Sequence, residues 1–137
     1  ETRQPQNILA IRDGEIERYI EKDKECPIEG LSRVKMGKEA KLARTIDTYY
    51  CDVDVNGHIN SIKYIEHILD LFDIDHYRKF RIRRFDIAYV AESYCGDKLN
   101  FYTEERDDDT VCVRVTKTNA ETVDAEVVRC MLKFEKI

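Results

Sequence analysis

The chain has 137 residues, which is enough for one domain with an ordinary hydrophobic core. Its net charge of -5 argues against nucleic acid as a partner. No apolar run approaches the roughly 18–20 residues that a membrane span needs. The five cysteines are odd in number and form no Cys-x-x-Cys pair, so we expect buried structural thiols in a reducing cytoplasm rather than a zinc site or disulfides.

The first 39 residues are charged and weakly apolar. Within them, apolar residues at helical spacing predict a short helix over residues 13–24. Pro27, Gly30 and Gly37 interrupt regular structure after this helix. We therefore predict a connector over residues 1–39 and a folded domain over residues 40–137.

The folded domain is expected to begin with a strand and a long helix. Residues 41–51 are rich in β-branched and aromatic side chains, which favours a strand. After a polar loop, apolar residues recur every three or four positions over more than four turns, at Ile59, Ile62, Ile65, Leu69 and Phe72. This spacing predicts one long helix with a wide buried face, capped by Asn60 or Ser61.

Four further strands are predicted after the helix, at about residues 83–92, 98–106, 110–118 and 122–135. Short turns separate them, which indicates antiparallel pairing in a meander. The fold class is therefore predicted to be α+β, with one long helix packed against a curved antiparallel sheet of about five strands.

The loop before the helix holds the residues best suited to chemistry. Asp54, Asn56 and His58 fall within five positions, and Glu92 lies further along the chain on a predicted strand. A histidine, an amide and a carboxylate can together orient a water molecule against a carbonyl and hold the resulting oxyanion. Plainer interpretations stand beside this one: turn chemistry for Asn56, a surface histidine, loop stiffening by Asp54, and an exposed glutamate at a strand end.

The run DVDVNGHINSIKYIEHILD closely resembles the active-site run of acyl-acyl carrier protein (acyl-ACP) thioesterases, in which an Asp-x-Asn-x-His loop enters the central helix of a hotdog domain. Asp54, Asn56 and His58 match that loop. Glu92 lies 34 residues after His58, and this separation matches the family's spacing. Residues 1–39 resemble the connector between the two hotdog domains that these enzymes carry in tandem. The resemblance implies the C-terminal, catalytic hotdog domain.

The resemblance also implies roles for these residues. Glu92 would activate water, His58 would share or position the proton, Asn56 would steady the substrate or oxyanion, and Asp54 would hold the loop. No metal or cofactor is implied. Some family members have a cysteine directly after the glutamate; this chain has Ser93, which counts against a thiol nucleophile. We expect the domain to pair with a second hotdog domain, either its own copy or an N-terminal half.

Basic residues cluster between the helix and the next strand in an otherwise acidic chain. They are Arg78, Lys79, Arg81, Arg83 and Arg84. The functional interpretation is a docking surface for an acidic acyl carrier protein whose phosphopantetheine arm bears the acyl chain. The plainer interpretation is a solvated corner.

Three alternatives to an acyl-ACP thioesterase of fatty acid biosynthesis stay open. An acyl-CoA thioesterase of the same fold would differ only in its partner. A hotdog enoyl hydratase would resemble Asp-x-Asn-Pro-x-His, but here the histidine comes one residue earlier and the proline is absent. A non-catalytic acyl-binding module would not need the set of Asp54, Asn56, His58 and Glu92.

Overall fold

The computed structural model describes residues 5, 7–30, 34–37, 39–107 and 109–137. Within the predicted connector, residues 1–4, 6, 31–33 and 38 lie outside the described residues.

The chain divides into two units, residues 1–30 and 31–137. The first unit contains a 3-10 helical segment, Ile8–Tyr19, which Asn7 caps by accepting a hydrogen bond from the Leu9 N–H at 3.0 Å. The backbone is not helical at residues 11–14, so the second helical piece covers residues 15–19. This piece lies inside the predicted range of 13–24, but it is a short 3-10 helix that ends earlier than predicted. The predicted boundary at residues 39 and 40 stays a prediction.

A five-stranded antiparallel sheet dominates the second unit. Its strands are β1 (Lys41–Asp47), β2 (Phe80–Tyr89), β3 (Lys98–Asp107), β4 (Thr110–Thr118) and β5 (Ala125–Lys136). The spatial order is β1-β3-β4-β5-β2, so β1 and β2 form the edges. The meander is confirmed for β3, β4 and β5.

Strand β2 does not join that meander. It pairs with β5 along its whole length, with Phe80 opposite Lys136 and Tyr89 opposite Val128. The turn before β3 therefore does not close a hairpin, and the chain instead crosses from the β2 edge towards β3, which lies between β1 and β4. This crossing connection carries Glu92.

Two helices replace the predicted long one. Helix α1 spans Ser61–Leu69, and Asn60 caps it by accepting a hydrogen bond from the backbone N–H of Ile62, as predicted. Helix α2 spans Ile74–Lys79. Helix α1 ends before Asp70, and the Asp73 side chain starts α2 by accepting the His76 N–H at 2.7 Å. None of the helices in the described part of the chain is long and apolar enough to cross a membrane.

The core lies between helix α1 and one face of the sheet. Tyr64 and Ile68 of α1 are buried against strand residues that are almost fully removed from solvent, namely Leu99, Phe101, Val113, Val115, Val128, Cys130 and Leu132. Alternate strand residues face the same side, so the alternating valines of β4 supply this face. The predicted α+β hotdog arrangement is confirmed, with a shorter helix than expected.

Candidate active site

The polar loop is folded back on itself by Asp54. Its Oδ1 accepts the backbone N–H of Asn56 at 2.8 Å and that of His58 at 3.2 Å. The Asp54 N–H donates to the His58 carbonyl at 2.8 Å, and Gly57, at φ +83°, donates to the Asp54 carbonyl. A positive φ suits glycine, which has no Cβ to clash. The loop is therefore a tight turn that holds His58 at its end.

The Asp54 carboxyl is electrostatically suited to this position. Partial removal from water raises its pKa, but hydrogen bonds from the backbone of Asn56 and of His58, helped by the Asn56 side chain, hold the pKa below its ordinary value. Asp54 is thus ionised at neutral pH, when it accepts these bonds best. These contacts fit the loop-stiffening interpretation of Asp54.

Glu92 lies in a loop, not on a strand as predicted. Strand β2 ends at Tyr89. The next two N–H groups, of Val90 and Ala91, both donate to the Val127 carbonyl, at 2.8 and 3.3 Å. Because two successive donors share one acceptor, the ladder cannot continue and the chain turns away from β5. The Glu92 side chain is left 50% exposed.

The structure brings Glu92 and His58 together. The Nε2 atom of His58 lies 3.5 Å from Oε2 of Glu92. An isolated antiparallel bridge joins His58 to Tyr94, and the Ile59 N–H donates to the Ser93 carbonyl at 2.8 Å. Two loops distant in the sequence are thus fixed side by side, and they bring an imidazole and a carboxylate within ion-pair distance.

Asn56 lies at the exposed tip of its turn. It joins the site through Asp54, which accepts its backbone N–H at 2.8 Å. Its role in steadying an oxyanion stays a prediction.

The structure does not bring the basic cluster to this site. Arg78 and Lys79 end helix α2, and Arg81 lies near the start of β2. Tyr89 ends that strand eight residues later, about 26 Å away at 3.3 Å per residue. The cluster and Glu92 therefore lie at opposite ends of β2, and the docking role stays a prediction.

Several of the basic side chains have acidic partners. Arg78 contacts Asp75 at 2.7 Å on the surface, and Arg81 contacts Glu135 across the strands. The third pair is more enclosed: Arg84 Nε donates to Asp86 at 2.7 Å, and the two side chains are 21% and 8% exposed. Arg84 is thus partly a structural residue.

Sequence reasoning missed Tyr94 and Lys117. The Tyr94 hydroxyl donates to Oε2 of Glu92 at 3.3 Å, and Lys117 Nζ donates to the Glu92 carbonyl at 2.8 Å. The alternation of β4 held a usable signal, because Lys117 falls on the same face as the core residues Val113 and Val115. A charged residue in that register needs a polar partner nearby.

Ser93 is buried, at 1% exposure, and its hydroxyl hydrogen-bonds the hydroxyl of Tyr64. The side chain directly after Glu92 is therefore enclosed in this chain.

The cysteines divide by burial. Cys112 and Cys130 are buried as expected, and burial raises the pKa of Cys130 to about 12. Cys26, Cys51 and Cys95 are exposed, which contradicts the expected burial, because they lie outside the core strands. Among the residues that the structure describes, no three histidine, cysteine or acidic side chains are grouped to hold a metal.

Comparisons with known proteins bear on the family and the fold of the chain. The family model for the acyl-ACP thioesterase C-terminal domain matches residues 35–136. An acyl-ACP thioesterase from Bacteroides thetaiotaomicron is 47% identical with a TM-score of 0.74, over 82% of this chain and 44% of that one. No protein among the curated sequences matches significantly.

A 12:0-ACP thioesterase from Umbellularia californica is 19% identical with a TM-score of 0.65, over 80% of this chain and 40% of that one, and it shows the shared fold alone. The chain thus spans less than half the length of either relative. Because the family model covers most of its residues, the chain belongs to the acyl-ACP thioesterase family and matches that family's C-terminal domain.

Proposed function

We propose that this domain hydrolyses the thioester of a fatty acyl chain carried on acyl carrier protein, releasing free fatty acid and the carrier thiol. The observation that carries the proposal is the 3.5 Å approach of His58 Nε2 to Glu92 Oε2. Family membership supports the same reaction class. The setting would be fatty acid biosynthesis in the cytoplasm, where free thiols such as those of this chain stay reduced.

In the proposed reaction, a water molecule attacks the thioester carbonyl, and Glu92 accepts a proton from that water molecule. A C–O bond forms, and the oxyanion is steadied by a donor such as the Asn56 amide. The C–S bond then breaks, and the leaving thiolate takes the proton through His58. Asp54 keeps the loop in shape through its bonds to the Asn56 and His58 backbone. The chemistry requires neither metal nor cofactor.

Assembly is a second part of the proposal. Strands β1 and β2 are the outer strands of the sheet, and proteins cover or pair the backbone groups at sheet edges. We propose that a second hotdog domain, in the same protein or a second copy, completes the assembly. Sedimentation of the 137-residue chain at micromolar concentration should show a dimer, whereas a monomer would contradict self-pairing.

Substrate class is best tested with one acyl chain presented on three carriers. The intact protein is assayed with acyl-ACP, acyl-CoA and a small acyl-pantetheine thioester, and thiol release is measured. We expect the highest kcat/KM for acyl-ACP, because the basic cluster would attract an acidic carrier. A higher value for acyl-CoA would assign the domain to CoA thioesters, and binding without release would make it an acyl-binding module.

A further inference from the structure

Lys117 reaches from the end of strand β4 into the loop that carries Glu92. Its Nζ donates to the Glu92 carbonyl at 2.8 Å. The same ammonium lies 4.0 Å from Oδ2 of Asp97 and 5.5 Å from the centre of the Tyr94 ring. All three partners belong to the loop of residues 92–97, so a single side chain ties that loop to the sheet.

The environment of Lys117 differs from that of a surface lysine. Its side chain is only 17% exposed, whereas the side chain of Lys98 on β3 is 53% exposed. Enclosing an ammonium costs free energy unless carbonyls, carboxylates or aromatic faces replace the lost water. Glu92, Asp97 and Tyr94 supply one group of each kind.

Tyr94 completes the connection at the side-chain level. Its hydroxyl donates to Oε2 of Glu92 at 3.3 Å, and its ring meets the His58 ring edge-on at a centroid distance of 5.3 Å. Lys117 thus fixes the backbone of Glu92, while Tyr94 contacts both the Glu92 carboxylate and the His58 ring.

Asp97 anchors the far end of the same loop. It is 5% exposed, and its carboxylate accepts the Tyr94 N–H at 2.9 Å and the Asn119 amide at 2.8 Å. Thr48 also bonds this loop, through the carbonyls of Tyr94 and Asp97. The segment from Tyr94 to Asp97 is thus fixed, and the bond from Lys117 holds the backbone at Glu92 itself.

We infer that Lys117 is a positioning residue that, with Tyr94, holds Glu92 against His58. The inference rests on the proposed function for its kinetic consequence. Lys117 acts through the Glu92 backbone and the Tyr94 ring. Its loss should therefore misplace the base without weakening substrate binding, and displacement of about 1 Å can cost on the order of 100-fold in rate.

The test compares Lys117→Met with Lys117→Arg and with Lys98→Met as the matched control, all in the intact protein. Methionine keeps the length of the side chain but removes the donor, so kcat should fall at least about tenfold with KM unchanged. Arginine can still donate to the Glu92 carbonyl and should recover most of the rate. Lys98, which pairs with the exposed Asp47, should give a wild-type rate.

The split between kcat and KM separates positioning from loss of stability. Tyr94→Phe removes the hydroxyl that donates to Oε2 of Glu92, so kcat should fall while KM and thermal unfolding stay close to the wild type. A merely structural tyrosine would lower the unfolding temperature and leave kcat unchanged.

NMR spectra of the His58 ring give a readout that does not depend on activity. Lys117→Met should change the chemical shifts of the His58 ring protons through the Tyr94 ring that meets it edge-on, and Lys98→Met should leave them unchanged. An active wild type with an equally active Lys117→Met overturns this inference and leaves the proposed function standing. An inactive wild type whose His58 signals respond only to Lys117→Met overturns the proposed function and leaves the positioning role standing. Unchanged His58 signals in both variants overturn the positioning role.

Discussion

The hydroxyl of Tyr64 on helix α1 hydrogen-bonds the hydroxyl of Ser93, the residue next to Glu92. Both residues are nearly free of solvent, at 3% and 1% exposure. Burial raises the pKa of the Tyr64 phenol, although the bond to Ser93 acts in the opposite direction. The core helix and the loop that carries Glu92 are therefore joined by one neutral, buried contact.

We predict that either Tyr64→Phe or Ser93→Ala alone destabilises the domain by about 1–3 kcal/mol, because the remaining hydroxyl is buried without its partner. The double variant should be less destabilised than the sum of the single variants, since both hydroxyls are then gone. Urea denaturation measures this cycle. Exact additivity would mean that the two hydroxyls do not interact. Ser93→Ala should turn over substrate at a near-normal rate, and a large loss would revive a covalent mechanism.

Asp54 and Asp73 allow a matched comparison, because each carboxylate accepts a backbone N–H, one in the active-site loop and the other at the start of α2. Asp54→Ala should lower kcat at least about tenfold by releasing the loop that holds His58. Asp73→Ala should cost about 1 kcal/mol of stability, as lost helix caps do, with little change in kcat. Steady-state kinetics and thermal unfolding of both variants give the comparison. Equal kinetic effects would reduce Asp54 to a stability role.

The buried thiol of Cys130 predicts a loss of stability at alkaline pH. Its pKa is raised from 9.0 to about 12 in the folded protein. The stability that this thiol contributes is present below pH 9 and is lost as pH rises towards 12, because the unfolded chain ionises first. The slope from one such group is at most about 1.4 kcal/mol per pH unit.

Denaturation between about pH 8 and 11 should show that decline, with a shallower slope in Cys130→Val and an unchanged slope in the exposed control Cys95→Ser. Tyr64, Tyr77 and Tyr102 also have raised pKa values, so part of the slope should remain in every variant. Identical slopes for Cys130→Val and the wild type would show that Cys130 does not cause the loss of stability at alkaline pH.

The basic cluster predicts a carrier-specific effect. Arg81 and Arg83 are exposed on β2, whereas Arg84 is enclosed with Asp86, so Arg81→Glu with Arg83→Glu spares the more enclosed pair. This double reversal should raise KM for acyl-ACP severalfold, most strongly at low salt, and should leave a pantetheine thioester unaffected. A matched reversal elsewhere on the sheet, Lys41→Glu on β1 with Lys98→Glu on β3, is the control. Equal losses with both substrates would make the cluster structural.

Local patterns predicted the fold best where neighbouring residues decide the structure. Strand β4 lies at its predicted limits because Val111, Val113 and Val115 alternate cleanly with polar residues. The prediction of one long helix was wrong. The helical spacing of apolar residues continues through residues 70–73, but the Asp73 side chain accepts the His76 N–H and starts a new helix. A period shows which face is buried and does not show where a cap interrupts it.

Long-range pairing was invisible in the sequence. Nothing local shows that β2 pairs with β5. The strand prediction ran through Glu92 because Val90 and Ala91 are apolar, yet both donate to one carbonyl of β5 and the ladder ends. The family resemblance pointed to Asp54, His58 and Glu92. No sequence motif points to Tyr94 and Lys117, because only the tertiary fold places them against Glu92.

The most direct test of the proposed hydrolase is the kcat/KM of Glu92→Gln for acyl-ACP, measured in the intact protein beside the wild type and the exposed control Glu121→Gln. Glutamine keeps the shape of the side chain but cannot accept the proton of water, so kcat/KM should fall by about 100- to 10,000-fold with unchanged thermal unfolding. Glu121→Gln should match the wild type. A Glu92→Gln protein that hydrolyses acyl-ACP at a near-normal rate would contradict the account.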